Sequence, residues 1–189
     1  MAAVDTAFAP SFLSRLAAPI RKMQRSALRK RGPLDAALDD FLAEAAHPGD
    51  KVLQLGHSGG ISAAFLDRGV YLNLVASSGA ADLVEAICQL RGCSSARLRL
   101  FENVGSSGNV GEVDAVWLSR TSSLAVLAAH YRHAEHRIRT GGSLYLDGLD
   151  TEHGKALFKQ MQNDEAWRLD EVISGDVAVF RRALVLETV

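Results

Sequence analysis

The stretch Asp50-Lys51-Val52-Leu53-Gln54-Leu55-Gly56-His57-Ser58-Gly59-Gly60-Ile61-Ser62-Ala63-Ala64-Phe65 carries a short apolar strand into a glycine-rich turn and on into a helix of small residues. Glycines after a strand let the backbone approach a ligand with no Cβ in the way, and the helix behind them offers unpaired N–H groups at its positive end. An ordinary strand-turn-helix corner of an α/β protein has the same look, so the surroundings must choose. Two nucleotide motifs fail here. From Gly56 the dinucleotide fingerprint GxGxxG needs two further glycines where Ser58 and Ile61 stand, and the phosphate loop GxxxxGK also meets Ile61, with no lysine after it.

Outward from this stretch, strands and helices alternate. Pro33 opens a helix whose apolar side is Leu34, Leu38, Phe41, Leu42 and Ala45, stopped by Pro48-Gly49. Strands are expected at Val52–Leu55, Val70–Val75, Arg97–Phe101, Asp114–Leu118 and Ser143–Asp147. Helices are expected at Ile61–Asp67, Ala80–Leu90, Ser122–Arg139 and Lys155–Asn163. Strands separated by helices imply a parallel sheet covered on both faces, with ligands at the carboxyl ends of the strands near the switch in strand order. The chain then closes with Trp167–Ser174, a Gly175-Asp176 turn and Val177–Arg182, a hairpin whose strands must run antiparallel.

Composition sets the limits around that frame. The 189 residues suit one domain, with 48% hydrophobic and 23% charged residues, and no run approaches the ~20 apolar residues of a membrane helix. The net charge of −1 gives no global pull toward nucleic acid or anionic lipid. Cys88 and Cys93 make neither a disulfide framework nor a zinc set, which fits reduced thiols in a cytoplasmic protein. Residues 1–32 form a separate basic arm, where Arg15, Arg21, Lys22, Arg25, Arg29, Lys30 and Arg31 are opposed only by Asp5. Leu13, Leu16, Ile20, Met23 and Leu28 would line one stripe of a helix there. Three readings of the arm compete: a helix packed on the domain or on a partner subunit as in a homodimer, a contact with an anionic ligand, nucleic acid or membrane, and a targeting or disordered segment.

Gly56, Gly60 and Ser62 match GxxxGxS, and on these residues the turn resembles that of class I S-adenosylmethionine-dependent methyltransferases, in the form seen in small-molecule O-methyltransferases. The run Gly141-Gly142-Ser143-Leu144-Tyr145-Leu146-Asp147 is similar to that family's fifth strand, and the reversed hairpin is similar to the end of its sheet. The resemblance covers about Asp50 to Arg182. It implies a Rossmann-like α/β fold over residues 33–189: a mostly parallel seven-stranded sheet with a C-terminal antiparallel hairpin and helices on both faces. The implied cofactor is S-adenosylmethionine, held by Gln54, Gly56, His57, Ser58, Gly60, Ser62, Ser77, Asn103 and Ser119.

Several positions depart from the family. The acid that ends strand two and accepts the ribose hydroxyls is Val75, with Ser77 and Ser78 just beyond, and the acid two residues before the first glycine is Gln54. Glu102 and Asn103 keep a polar pair after strand three. The metal-binding trio of the related O-methyltransferases maps to Ser119, Asp147 and Gly148, so one oxygen ligand of three remains and no catalytic metal is expected. Asp147 serves either as a general base or as a cap for the next turn, and His57 either as a base or as an exposed turn residue. His130, His133 and His136 are three apart, which spreads them around a helix where a zinc pair would be stacked at i and i+4. The loop Gly105–Gly111 is a lid or a shortened connection.

Two functions follow from the resemblance. One is metal-independent methyl transfer to a small-molecule or protein acceptor. The other is a catalytically inactive methyltransferase-like domain acting as a binding, scaffolding or regulatory partner. A nucleic-acid acceptor is disfavoured because Ser119-Arg120-Thr121-Ser122 stands where an Asn/Asp-Pro-Pro-aromatic motif would be.

Overall fold

In the computed structural model, the described residues are 33–121 and 123–183. The basic arm, and with it the homodimer expected through it, lies outside them. Seven strands, β1 (Lys51–Leu55), β2 (Tyr71–Val75), β3 (Leu98–Phe101), β4 (Val113–Leu118), β5 (Ile138–Asp147), β6 (Trp167–Ile173) and β7 (Val177–Arg182), form one sheet in the order β3-β2-β1-β4-β5-β7-β6. The first five run parallel and β7 lies antiparallel between β5 and β6. This is the expected α/β architecture, hairpin included.

The helices are α1 (Pro33–Ala45), α2 (Gly59–Asp67), α3 (Ser78–Arg91), α4 (Leu124–Glu135) and α5 (Glu152–Gln162). Side chains alternate across each strand, so every core strand feeds two cores. Val52, Leu72, Leu74, Trp117, Tyr145 and Val179 point to one face, where Leu42, Phe65 and Val84 of α1, α2 and α3 cover them. Leu53, Leu55, Val75, Val116, Leu118, Leu144 and Phe180 point to the other, under Leu127 and Tyr131 of α4 and Leu157 and Met161 of α5. Trp117 anchors the first core edge-on to Phe65, their ring centroids 6.1 Å apart, and tilted on Tyr145 at 5.6 Å.

The largest departure from the expected boundaries lies between the fourth helix and the fifth strand. The helix expected over Ser122–Arg139 ends at Glu135, and the fifth strand begins at Ile138, not at Ser143. Sheet pairing overrides helical periodicity there: Val113 N–H donates to the Arg137 carbonyl at 2.8 Å, and Ile138 pairs with Val113 across the ladder. Gly141, at φ +76°, lets β5 pass the register shift between Val113 and Ala115. The Gly105–Gly111 loop holds a short 3-10 turn over Gly105–Asn109. No described helix is long and apolar enough to cross a membrane.

Candidate functional site

Strand order reverses between β1 and β4, and the carboxyl ends of the strands at such a switch point are where open α/β sheets take their ligands. Gly56 leaves β1 and Ser119 leaves β4 at that point. The Ser119 N–H donates to the Leu55 carbonyl at 2.9 Å, and the Gly56 N–H to the Val75 carbonyl at 3.0 Å. Gly56 is at φ +88°, and a Cβ there would stand 3.0 Å from Ser119 Cβ and 3.9 Å from His130 Cε1. Only glycine fits both the backbone and the space. Gly60 is the opposite case: a Cβ on it would meet nothing within 4 Å, so its surface faces open solvent.

Gln54 and Ser62 shape this turn from behind. Both are fully buried, and the Ser62 hydroxyl donates to Gln54 Oε1 at 2.8 Å. Gln54 Nε2 donates to the carbonyls of Gly56 and Ser58 at 3.3 and 3.4 Å. The side chain that replaces the family's acid therefore braces the loop, and its hydrogen-bonding capacity is used within the protein.

The hydroxyls facing outward are left free. Ser58 caps α2 and Ser77 caps α3, both in extended backbone, yet neither side chain bonds the first helical turn. Ser123 and Thr151, at the same position of α4 and α5, do bond theirs. Neither α2 nor α3 has an acidic residue in its first turn, so two uncompensated positive helix ends lie beside the glycine turn. Val75 is 4% exposed, its side chain in the second core, and it serves the turn only through its carbonyl. Asn103 Oδ1 accepts from the Ser106 N–H at 2.9 Å, which shapes the loop after β3. His57 is exposed at the tip of the turn, where desolvation lowers its pKa and holds the ring neutral.

Two buried polar atoms in this region have no partner, Ser119 Oγ and His130 Nδ1. Ser119 is 2% exposed. A buried group left unpaired costs about 1–3 kcal/mol, and buried atoms without a partner also occur at Arg68, Trp117, Arg137 and Asp176. His130 escaped the sequence reading, which spread the three helix histidines around the helix and singled out none of them. The structure separates them: His130 turns to Gly56, His133 Nε2 lies 2.8 Å from the Ser107 hydroxyl, and His136 is exposed beside Glu135. Its signal was its spacing, one turn from the buried Leu127 and Ala134.

Asp147, the candidate base, belongs to a different constellation. Arg120 reaches Asp150 at 2.8 Å and Asp176 at 2.6 Å, and its Nε lies 3.8 Å from Asp147 Oδ1. Burial raises the Asp147 pKa, while Arg120 pulls it back. The guanidinium thus ties together the loops after β4 and β5 and the β6–β7 turn, and Asp147 is an ion-pair partner in that tie. Among the described residues no cluster of three acid, histidine or cysteine side chains is placed to hold a metal ion. A groove of about 280 Å³ opens elsewhere, against Phe41, Glu44, Tyr145, Asp170 and Arg181, and none of the residues above borders it.

No protein-family model and no curated protein matches the sequence. Solved structures do match the fold. A methyltransferase from Geobacter sulfurreducens aligns with a TM-score of 0.63 at 13% identity, covering 93% of each chain. An rRNA methylase from Streptococcus thermophilus aligns at 0.59 and 16% identity, over 77% of this chain and 94% of its own. A precorrin-6y C5,15-methyltransferase from Geobacter metallireducens aligns at 0.56 and 9% identity, over 75% of this chain and 83% of its own. At such identities the shared property is the architecture: the chain has the Rossmann-like fold of class I S-adenosylmethionine-dependent methyltransferases.

Proposed function

We propose that the protein binds S-adenosylmethionine at the Gly56–Ser62 turn and transfers its methyl group, without a catalytic metal, to a small-molecule or protein acceptor. The observation that supports this most is the open polar edge of the turn. Gly60 leaves the backbone accessible, Ser58 and Ser77 keep their hydroxyls free, and Ser119 has a buried hydroxyl with no partner. Bound there, the cofactor would supply an electrophilic methyl on a sulfonium centre. The chain's own part is positioning and exclusion of water, which is enough for an in-line displacement. In this reading the α2 N-terminus and Ser58 take the carboxylate end, Ser77 replaces the missing acid at the ribose, and Asn103 lies toward the base. Gln54 and Ser62 keep the turn in shape. Asp147 accepts a proton only once Arg120 releases it, so His57, neutral and exposed, is the readier base.

A second reading has its own observation. Val75 offers no carboxylate, and hydroxyls in place of a charge-assisted pair cost roughly 1.5–3 kcal/mol, about ten- to a hundred-fold in affinity. A domain that keeps the fold and works as a binding or scaffolding partner is consistent with that loss. The acceptor also stays open toward nucleic acid, because the fold is shared with a protein named as an rRNA methylase. Calorimetric titration of the full chain with S-adenosylmethionine and S-adenosylhomocysteine tests the proposal: micromolar binding is expected, and no binding up to millimolar ligand overturns it.

A further inference from the structure

Two cysteines are all the chain has, and its fold sets them side by side. The helix α3 ends at Arg91, and Gly92 turns the chain at φ +72°, a left-handed conformation that a residue with a Cβ rarely takes. The Cys93 N–H then returns to the Cys88 carbonyl at 3.0 Å, and the Gly92 N–H goes to the same oxygen. This is the closing bond of a Schellman turn, which lays the side chain just past the glycine against one in the last helical turn. An apolar pair commonly meets there. Here the pair is two thiols, and the Cys88 S–H donates to the Cys93 sulfur.

The two sulfurs differ in access. Cys88 is 1% exposed within the first core, while Cys93 is half-buried and packs against that core from outside. Burial above all, then the contact with Cys93 and the charge of Asp67, pushes the Cys88 pKa up, so this thiol stays protonated. Cys93 is therefore the sulfur that a reagent in solution reaches first, with Cys88 held beside it. With 3.0 Å between the Cys93 nitrogen and the Cys88 oxygen, covalent geometry keeps the two Cα atoms within about 7 Å, the limit of what a disulfide spans. Among the described residues no further acid, histidine or cysteine joins the pair to make a metal site. The pair also lies at the end of α3 away from Ser77.

We infer that Cys93 and Cys88 form a thiol–disulfide exchange site at the end of α3, which takes a small-molecule disulfide and closes into a Cys88–Cys93 bond. The Cys93 thiolate attacks one sulfur of the reagent, forming a mixed disulfide and expelling one thiolate. Cys88 then gives its proton to water and attacks the Cys93 sulfur, which expels the second thiolate. The two protons and two electrons that the protein loses end on the reagent, which leaves as two thiols. This site does not depend on the cofactor reading.

The experiment places the native full chain, and the same chain in urea, in glutathione buffers of graded oxidised-to-reduced ratio, followed by alkylation, trypsin and mass spectrometry. Trypsin cuts after Arg91, so a Cys88–Cys93 bond appears as two linked peptides, one ending at Arg91 and the other at Arg97. The native chain is expected to become half oxidised in a buffer about tenfold or more richer in reduced glutathione than the chain in urea requires, with glutathione found first on Cys93. Cys88→Ala is expected to stop with glutathione on Cys93, and Cys93→Ser to take up none, melting curves showing that both are folded. Linked peptides that form no more readily in the native chain than in urea would overturn the inference. So would glutathione that stays on Cys93 of the wild type, or glutathione on Cys88 of folded Cys93→Ser.

Discussion

The carboxyl edge of the sheet has two halves that treat their polar groups in opposite ways. After β1 and β2, the turns leave hydroxyls and helix N-termini unspent: the Ser58 and Ser77 side chains do not bond the helices they precede, and beside them Ser119 Oγ, at the end of β4, and His130 Nδ1, on α4, are unpaired. At Arg120 and after β5 and β6, the loops spend most of theirs on one another: Thr151 caps α5, and Arg120 gathers Asp147, Asp150 and Asp176, of which only Asp176 Oδ1 is buried without a partner. A fold at its own free-energy minimum satisfies its buried groups, so local deficits point to ligand binding and local completeness to scaffold. The lesson is that the missing family acids and the missing metal trio have different consequences. In the proposed reading, hydroxyls stand in for the first. An internal cation occupies the place of the second.

Glycine substitutions should separate the halves most sharply. A Cβ on Gly154, in the first turn of α5, would overlap the Gly148 carbonyl. Gly154→Ala is therefore expected to cost about 2–3 kcal/mol of stability, seen as a lower denaturant midpoint, with ligand affinity unchanged among the molecules that fold. Gly60→Arg should do the reverse: its Cβ meets nothing, so melting stays within about 1 °C, while affinity for S-adenosylhomocysteine drops by about a hundredfold or more. Equal binding by Gly60→Arg would remove the turn from the site.

Arg120→Met probes the completed half. It leaves three carboxylates facing one another, two of them more than four-fifths buried at the side chain. The Arg120 side chain is 44% exposed and screened by water, so the expected loss is only about 1 kcal/mol at pH 7. That loss should shrink as the pH falls and the carboxylates protonate, which urea titrations at pH 7 and pH 4.5 would show. An undiminished loss at the lower pH would mean that Arg120 acts through packing and not through charge.

The smallest effect belongs to the histidines of the open half. Burial lowers the pKa values of His57, His130 and His133 below the ordinary value of 6.5. The unfolded chain then binds more protons than the folded one below about pH 6.5, so stability should be complete above that pH and decline as the pH falls toward 5. His130→Leu should flatten this decline. A pH–stability curve unchanged by that substitution would show that the ring is hydrated and not buried.

The architecture was legible because the periodicity and the turn chemistry agree: alternating elements gave the parallel sheet, and Gly175-Asp176 gave the reversed hairpin. The boundary misread furthest, at Ile138, is where a ladder partner outweighs a helical pattern. At the site, the glycine turn and the lost acid at Val75 were visible as residue types at fixed offsets from a strand. The Arg120 tie was not, because it joins residues 27 to 56 positions apart and each looks like a solvated surface charge by itself. Nor was the difference between His130 and His133, which depends on what Ser107 and Gly56 place opposite them.

Hydrogen exchange with and without S-adenosylhomocysteine would test the division of the edge most directly. The account expects added protection of the amides at Gly56–Ser62 and at Ser77–Ala80, and no change at Arg120 or Asp147–Thr151. Protection confined to the Arg120 loops, or to the groove beside Phe41 and Arg181, would contradict it.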